Sequence, residues 1–300
     1  MAQRRSKKKR PLREEYMLRE QLKIEDEAFD DRTVMRLGDL FTHGIISKIH
    51  FLTARGKEAD VYLADPGDKV EEELVAVKVF RIETSDFDNR MVYIIGDPRF
   101  SKIKHNIYSV VNEWCKKEYG NLKIAQQAGV NAPKPYMFSG NVLAMEFIGS
   151  NGVPASMLKD VRLDNPGEIL ASILSSIKKL YKAGLVHADM SEYNVLVKDE
   201  KPFLIDFGQA VVLRHPNAMQ FLERDVHNIL NYFYKEYGIS YDYEKAINEI
   251  VQSQEQEPRF FEILEEILLL CSCGLPPSSS CMHSLPICFR KAHIWQHLPF

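Results

Sequence analysis

Cysteine is scarce until the end of the chain. Of five cysteines, Cys115 stands alone in the body and the other four crowd into residues 271–300. An odd count with that distribution gives no disulfide framework, and a reducing cytosol is the expected setting. Long apolar runs are also missing. The most apolar late stretch, FFEILEEILLLCSCGL, is interrupted by Glu265 and Glu266 and is too short to span a bilayer, so no membrane partner is expected. No apolar stretch follows the basic start, which argues against a secretory signal. Strong net charge is absent too: the total is −3, so the whole molecule is not built as a polyanion binder. The charge is uneven, however, because residues 1–13 (MAQRRSKKKRPLR) carry seven basic and no acidic side chains.

What is present fits one bilobal domain or two ordinary ones, with a sizeable core, in 300 residues. Residues 1–30 read as a basic, charged tail running into a charged helix. Val34, Leu37, Leu40 and Phe41 then have helical spacing up to Gly44. Strand-like runs IISKIHFL, ADVYLA and ELVAVKVF follow, the last two separated by the charged turn PGDKVEEE, and predict an antiparallel meander. Residues 83–106 are polar and mixed and predict a mobile loop. A helix is expected from Ile107 to Ala128. Two more strands, around PYMFSG and NVLAMEFI, meet at a Gly-Asn turn at 140–141.

After residue 148 the pattern becomes helical. Asn165-Pro166-Gly167-Glu168 reads as a helix start, with a capping Asn and Pro at the first helical position. Further helices are expected over 216–236 and 241–270. No repeat is visible. The division expected is a tail at 1–30, a β-rich lobe at 31–148, a helical lobe at 149–265 and a weakly structured Cys/His tail at 266–300. Cys271, Cys273, Cys281, His283 and Cys288 could ligate zinc, but their spacing is irregular and lacks a paired C-x-x-C.

The stretch GLVHADMSEYNVLVKDEKPFLIDFGQAV (184–211) poses the chemical question. Asp189, Asn194 and Asp206 stand beside two short apolar strands, where an unpaired charge is expensive. A salt-bridge network, a metal, or a phosphate with its metal would compensate them. Four features line up in order: the turn TARGKEADVY, the strand lysine Lys78 of VAVK, the Asp189-x4-Asn194 pair, and Asp206-Phe207-Gly208. That order and spacing match the phosphoryl-transfer machinery of protein kinases. Each motif alone is weak, since buried strands often end in a snorkelling lysine and Asp-x-Gly is common turn chemistry. Helical phase adds a fifth feature. Glu118 shares a face with Val111, Trp114, Leu122 and Ala125, whereas Glu113 points elsewhere. An inward glutamate needs a cation, and Lys78 is the natural one. His187 is read as bracing its loop by hydrogen bonds and is kept out of the catalytic set.

GKEADVY, LVHADMSEYNVL, LIDFGQAV and HPNAMQFLERDVHNILNYF together resemble the RIO atypical serine/threonine protein kinases. The resemblance covers about residues 31–265. It is greatest to the branch whose phosphate loop reads STGKEA; the sister branch carries an added winged-helix domain, and with about thirty tail-like residues before the first helix that branch fits poorly. It implies an α+β, bilobal protein-kinase-like fold: an antiparallel β-sheet N-lobe with a regulatory-type helix, and a small helical C-lobe lacking the long activation segment. It implies ATP as substrate and Mg2+, or Mn2+ in its place. Asp189 is then the catalytic Asp. Asn194 and Asp206 are the metal ligands, and Lys57, Lys78 and Glu118 serve the nucleotide phosphates. The backbone of Glu146 and Ile148 forms the adenine hinge. Family members can carry an aspartyl-phosphate at the position of Asp206, which adds it to the catalytic set. The family acts in small ribosomal subunit maturation, as kinases or ATPase switches. A cytoplasmic protein meeting pre-ribosomal particles or rRNA through its basic tail is the corresponding expectation; nothing fixes its oligomeric state.

Two departures from the family pattern stand out, the Cys/His tail at 271–300 and the phosphate loop. Ala54-Arg55 replace the Ser-Thr before Gly56, removing two hydroxyls and adding a positive charge. No Ala-Pro-Glu follows Gly208, so activation-loop phosphorylation and a standard peptide groove are not expected. Thr84, Ser85, Ser101 and Ser109 in the loop at 83–109 are candidate autophosphorylation sites. A small-molecule phosphotransferase of the aminoglycoside or choline kinase type, and an ATPase-only assembly factor, are the rival readings.

Overall fold

A computed structural model describes residues 29–82, 87–100 and 106–255. The basic tail, the residues beyond 255 with all the zinc candidates, and Thr84, Ser85 and Ser101 lie outside the described residues.

Helix α1 (Asp31–Thr42) starts where Asp30 Oδ1 accepts the Thr33 N–H at 2.7 Å. A five-stranded antiparallel sheet follows, built from β1 (Ile46–Arg55), β2 (Ala59–Pro66), β3 (Val75–Phe80), β4 (Pro135–Ser139) and β5 (Val142–Glu146), in the order β1-β2-β3-β5-β4. β3 is central and buried throughout, which is why it reads as a continuous apolar run rather than an alternation. Its two faces still differ. Val75, Val77 and Val79 pack into one cluster with Val34, Leu37 and Leu40 of α1, whereas Phe80 packs into the larger cluster on the other face. The β4–β5 hairpin pairs Ser139 with Val142 and turns through Gly140 at φ +54°, as the Gly-Asn dipeptide predicts.

The stretch at 83–106 departs from expectation. It contains helix α2 (Phe87–Ile94) and a 3-10 turn at Pro98–Phe100. Ile94 is buried, Met91, Tyr93 and Phe100 pack against the core, and the Tyr93 ring lies 5.2 Å from that of Phe221. The apolar run Met91–Ile94, inside an otherwise polar stretch, docks the segment through Met91, Tyr93 and Ile94. Helix α3 (Ile107–Gln127) is capped by Asn106.

Short strands β6 (Gly149–Ser150), β7 (Val153–Pro154) and β8 (Ser156–Met157) lead to helix α4 (Pro166–Lys182). Asn165 takes the cap position, but its side chain makes no capping bond; its carbonyl instead accepts from Glu168 and Ile169. β9 (Leu185–Val186) pairs with β12 (Val211–Val212), and between them β10 (Val195–Lys198) and β11 (Lys201–Leu204) form a hairpin. Helix α5 (Ala218–Tyr237) and helix α6 (Tyr243–Glu255) complete the described chain. Only residues 209–217 separate Gly208 from α5, and two of them are β12. The architecture is bilobal and protein-kinase-like, without a long activation segment.

Candidate active site

Strand alternation places Lys78 on the α3 side of β3, between its partners Val61 of β2 and Leu143 of β5. On α3, Val111, Trp114, Glu118, Leu122 and Ala125 are all buried, and Glu118 is 1% exposed. Lys78 Nζ donates to both Glu118 carboxylate oxygens at 2.8 Å and to Asp206 Oδ1 at 3.1 Å. Burial disfavours the Lys78 cation, but Asp206 and Glu118 together outweigh it and hold the group charged. Burial pushes Glu118 upward against the pull of Lys78.

Asp206 follows β11 and turns the chain at φ +63°, a conformation that costs a non-glycine residue on the order of 1 kcal/mol or more. It lies deep among neighbouring groups, yet its side chain keeps 48% of its surface open. Burial works against its charge, but Lys78 wins and holds the carboxyl below the usual range.

The second loop runs from β9 to β10. Asn194 Nδ2 donates to the Asp189 carboxylate at 2.9 Å and to its carbonyl at 2.8 Å. Those bonds use the amide N–H groups and leave Asn194 Oδ1 as the acceptor. Burial, reinforced by the charge of Asp206, pushes Asp189 up to about 6 against the Asn194 bond. Ala188 sits at φ +64°. Its N–H and that of Met190 donate to the buried carboxylate of Asp225 at 2.7 and 2.9 Å, and Arg224 donates to its carbonyl. His187 Nε2 donates to the Ile205 carbonyl at 3.1 Å, beside Asp206, and its ring meets Phe207 edge-on. Burial drops its pKa to about 4, so it is neutral near pH 7.

The turn between β1 and β2 closes through a bond from Gly56 N–H to the Ala59 carbonyl at 2.9 Å. A Cβ on Gly56 would stand 2.8 Å from that oxygen, so glycine is required for the close approach. Lys57 is exposed at this tip. Glu146 N–H is spent on the Lys134 carbonyl, and the Ile148 carbonyl accepts from Ala155.

The structure thus joins Lys78, Glu118 and Asp206 in one cluster and Asp189 with Asn194 in another, the two sharing the field of Asp206. Sequence reasoning missed Lys117 and Asn121, which grip residues 207–210, and gave Asp225 no role although it lies in the quoted LERD motif. Among the described residues, no three or more His, Cys, Asp or Glu side chains are grouped to hold a metal. Asp206 and Asn194 do offer two hard oxygen donors, one of them half open, which suits Mg2+ completed by phosphate and water. Among the described residues no helix is long and apolar enough to cross a membrane.

Comparison with known proteins adds an independent finding. A family model described as the RIO domain matches residues 60–246. The RIO-type serine/threonine-protein kinase Rio1 of Haloferax volcanii is 42% identical over 214 residues, covering 71% of this chain and 73% of that protein. The protein of the same name from Methanocaldococcus jannaschii is 42% identical over 223 residues, covering 74% and 75%. A crystal structure of the Rio2 kinase from Chaetomium thermophilum, in its ADP/Mg2+-phosphoaspartate complex, superposes with a TM-score of 0.55 at 19% identity over 79% of this chain and 74% of that one.

Proposed function

This chain belongs to the RIO family, and from that premise we propose that it is a Mg-ATP-dependent serine/threonine protein kinase, able to phosphorylate itself. The observation that carries the reading is the pairing of Lys78 with both Glu118 and Asp206, opposite the Asp189–Asn194 pair. In this reading Lys78, oriented by Glu118, holds phosphate oxygens of ATP, and the turn at Gly56–Lys57 covers them. The Ile148 N–H, which has no partner among the described residues, is a donor for adenine in the hinge beside Glu146. Asp206 and Asn194 Oδ1 would hold Mg2+. That ion, when bound, neutralises charge on the phosphates. Asp189 accepts the hydrogen bond of the attacking Ser or Thr hydroxyl, orients it, and takes its proton as the new O–P bond forms and ADP leaves.

Asp206 supports a second reading. Its half-open carboxylate is accessible to a γ-phosphoryl group, and the structural relative from Chaetomium thermophilum carries a phosphoaspartate. Attack by an Asp206 oxygen would expel ADP, and water would then hydrolyse the acyl phosphate, giving ATPase turnover. For a partner, the seven basic side chains in residues 1–13 suit rRNA of a pre-ribosomal small-subunit particle, met in the cytoplasm. Affinity for an rRNA fragment that falls with salt, and is lost on removing those residues, is the check.

The deciding experiment follows γ-labelled ATP and Mg2+ in parent and Asp189→Asn. Acid-stable label on serine, reduced about 1000-fold in the variant with ATP affinity retained, is expected. Equal labelling in both would remove Asp189 from the catalytic role. Hydroxylamine-labile label with free phosphate would favour the Asp206 route.

A further inference from the structure

Lys117 is the largest charged side chain among the fully buried described residues, and the chemistry above does not use it. Its Nζ donates to the carbonyls of Gly208 at 2.8 Å and Ala210 at 2.7 Å. One turn along α3, Asn121 Nδ2 donates to the carbonyls of Phe207 at 2.8 Å and Ala210 at 3.0 Å. Arg99 Nη1 fixes that amide by donating to Asn121 Oδ1 at 2.8 Å, and Arg99 is itself forked onto Asp97. On the same stripe, Trp114 packs so closely that a Cβ on Gly208 would stand 2.7 Å from its Nε1. Positions 114, 117, 118 and 121 therefore form one helical face that lies against residues 207–210, with Lys78 linking Glu118 to Asp206.

Three backbone carbonyls point at α3, and the side chains of Lys117 and Asn121 donate to all three. Asp206, held at φ +63°, is the residue immediately before this gripped segment. On the reading of Asp206 as a metal ligand, we infer that Lys117 and Asn121 are positioning residues that fix the backbone of 207–210 and so aim the Asp206 carboxylate at the metal. The adjacent Glu118 locks Lys78 from the same helix. One rigid helix thereby sets the phosphate-holding cation and the metal-holding anion in a single register. Arg99 and Asp97 extend the grip to the segment between α2 and α3.

The test uses the full chain with Lys117→Met, Asn121→Leu and Asp206→Asn. Affinity for a fluorescent ADP analogue is measured with Mg2+ and with chelator, and far-UV circular dichroism reports folding. Lys117→Met and Asn121→Leu should lose about 10- to 100-fold of the Mg2+-dependent gain while keeping parental affinity in chelator. If Lys117→Met does not fold, Asn121→Leu, which removes no buried charge, decides. Folded variants with the full parental gain, beside an Asp206→Asn that has lost it, overturn the positioning role and leave the metal reading standing. Equal losses with and without metal overturn it in favour of a general structural role. An Asp206→Asn that keeps the gain overturns the metal reading and this inference together.

Discussion

Two loops of the site turn through a non-glycine residue at nearly the same positive φ, Ala188 at 64° and Asp206 at 63°, and they are held by opposite chemistry. The first is gripped from α5 by an anion: Asp225 accepts the N–H groups of Ala188 and Met190. The second is gripped from α3 by a cation and an amide: Lys117 and Asn121 donate to the carbonyls of 207, 208 and 210. A backbone turn presents N–H groups on one side and C=O groups on the other, and each buried group needs a partner. Whichever set faces the core dictates the sign of the side chain that must be buried there. Burial weakens both anchors, pushing Asp225 up to about 7 and Lys117 down to about 7. Neither grip is a strong ion pair; each is a hydrogen-bonded brace that depends on fit.

Breaking the α3 side at its ionic end should have the largest effect on stability. Lys78→Met leaves Glu118 buried without its partner, a defect that typically costs about 3–5 kcal/mol. Glu118 already binds its proton more tightly in the fold than in the unfolded chain, and more so without Lys78. A carboxyl whose folded pKa is raised loses stability as pH climbs from its unfolded value toward its folded one. Parent and variant lose this stability in parallel while both folded forms keep the proton, so the deficit of the variant should widen above about pH 7, where the parent's Glu118 ionises beside Lys78 and the variant's does not, and shrink on acidification. Urea melts across that range check the sign, and Lys78→Met/Glu118→Gln should recover much of the loss. A deficit independent of pH would show that Glu118 is not the stranded charge.

The α5 side should break less severely. Asp225→Asn keeps the volume but offers an NH2 to one of the two N–H donors, leaving that donor unpaired at a cost of about 1–3 kcal/mol. Because the affected donors belong to Ala188 and Met190, which flank Asp189, phosphoryl transfer should fall more than nucleotide affinity. Lys117→Met should do the reverse, through the metal. If the two variants fail in the same way, the two grips are one structural unit and the contrast between them disappears.

The charged partners of the proposed chemistry were legible because each follows from a local rule. Lys78 ends an apolar strand, Asn194 lies five residues after Asp189, and the phase of α3 turns Glu118 inward. Lys117 was not legible for a physical reason. A lysine on a helix is ordinarily solvated, and this one is buried only because carbonyls 91 and 93 residues away reach it. Asn121 is hidden likewise, its partners lying 86 and 89 residues distant. The docking of α2 depends on Phe221 and the core around it, so its sequence alone reads as loop. Asn165 shows the opposite failure: the local pattern promised a side-chain cap, and the backbone satisfied the helix start without it.

The smallest effect is the most discriminating test of helical phase. Glu113 and Glu118 lie on one helix, five residues and roughly 140° of rotation apart. Glu113 keeps 32% of its side chain exposed and meets Lys116 at 3.3 Å within its own helix. Glu118 keeps 1% and holds the lysine of another element at 2.8 Å. An exposed pair of this kind contributes about 0.5 kcal/mol or less. Glu113→Gln should therefore leave the urea midpoint and the Mg2+-dependent nucleotide affinity at parental values, with a residual effect that salt removes. A loss comparable to that of Lys78→Met would mean that α3 presents a different face to the cleft, and the assignment of Glu118, Lys117 and Asn121 would fall with it, since all three rest on the same rotation of one helix.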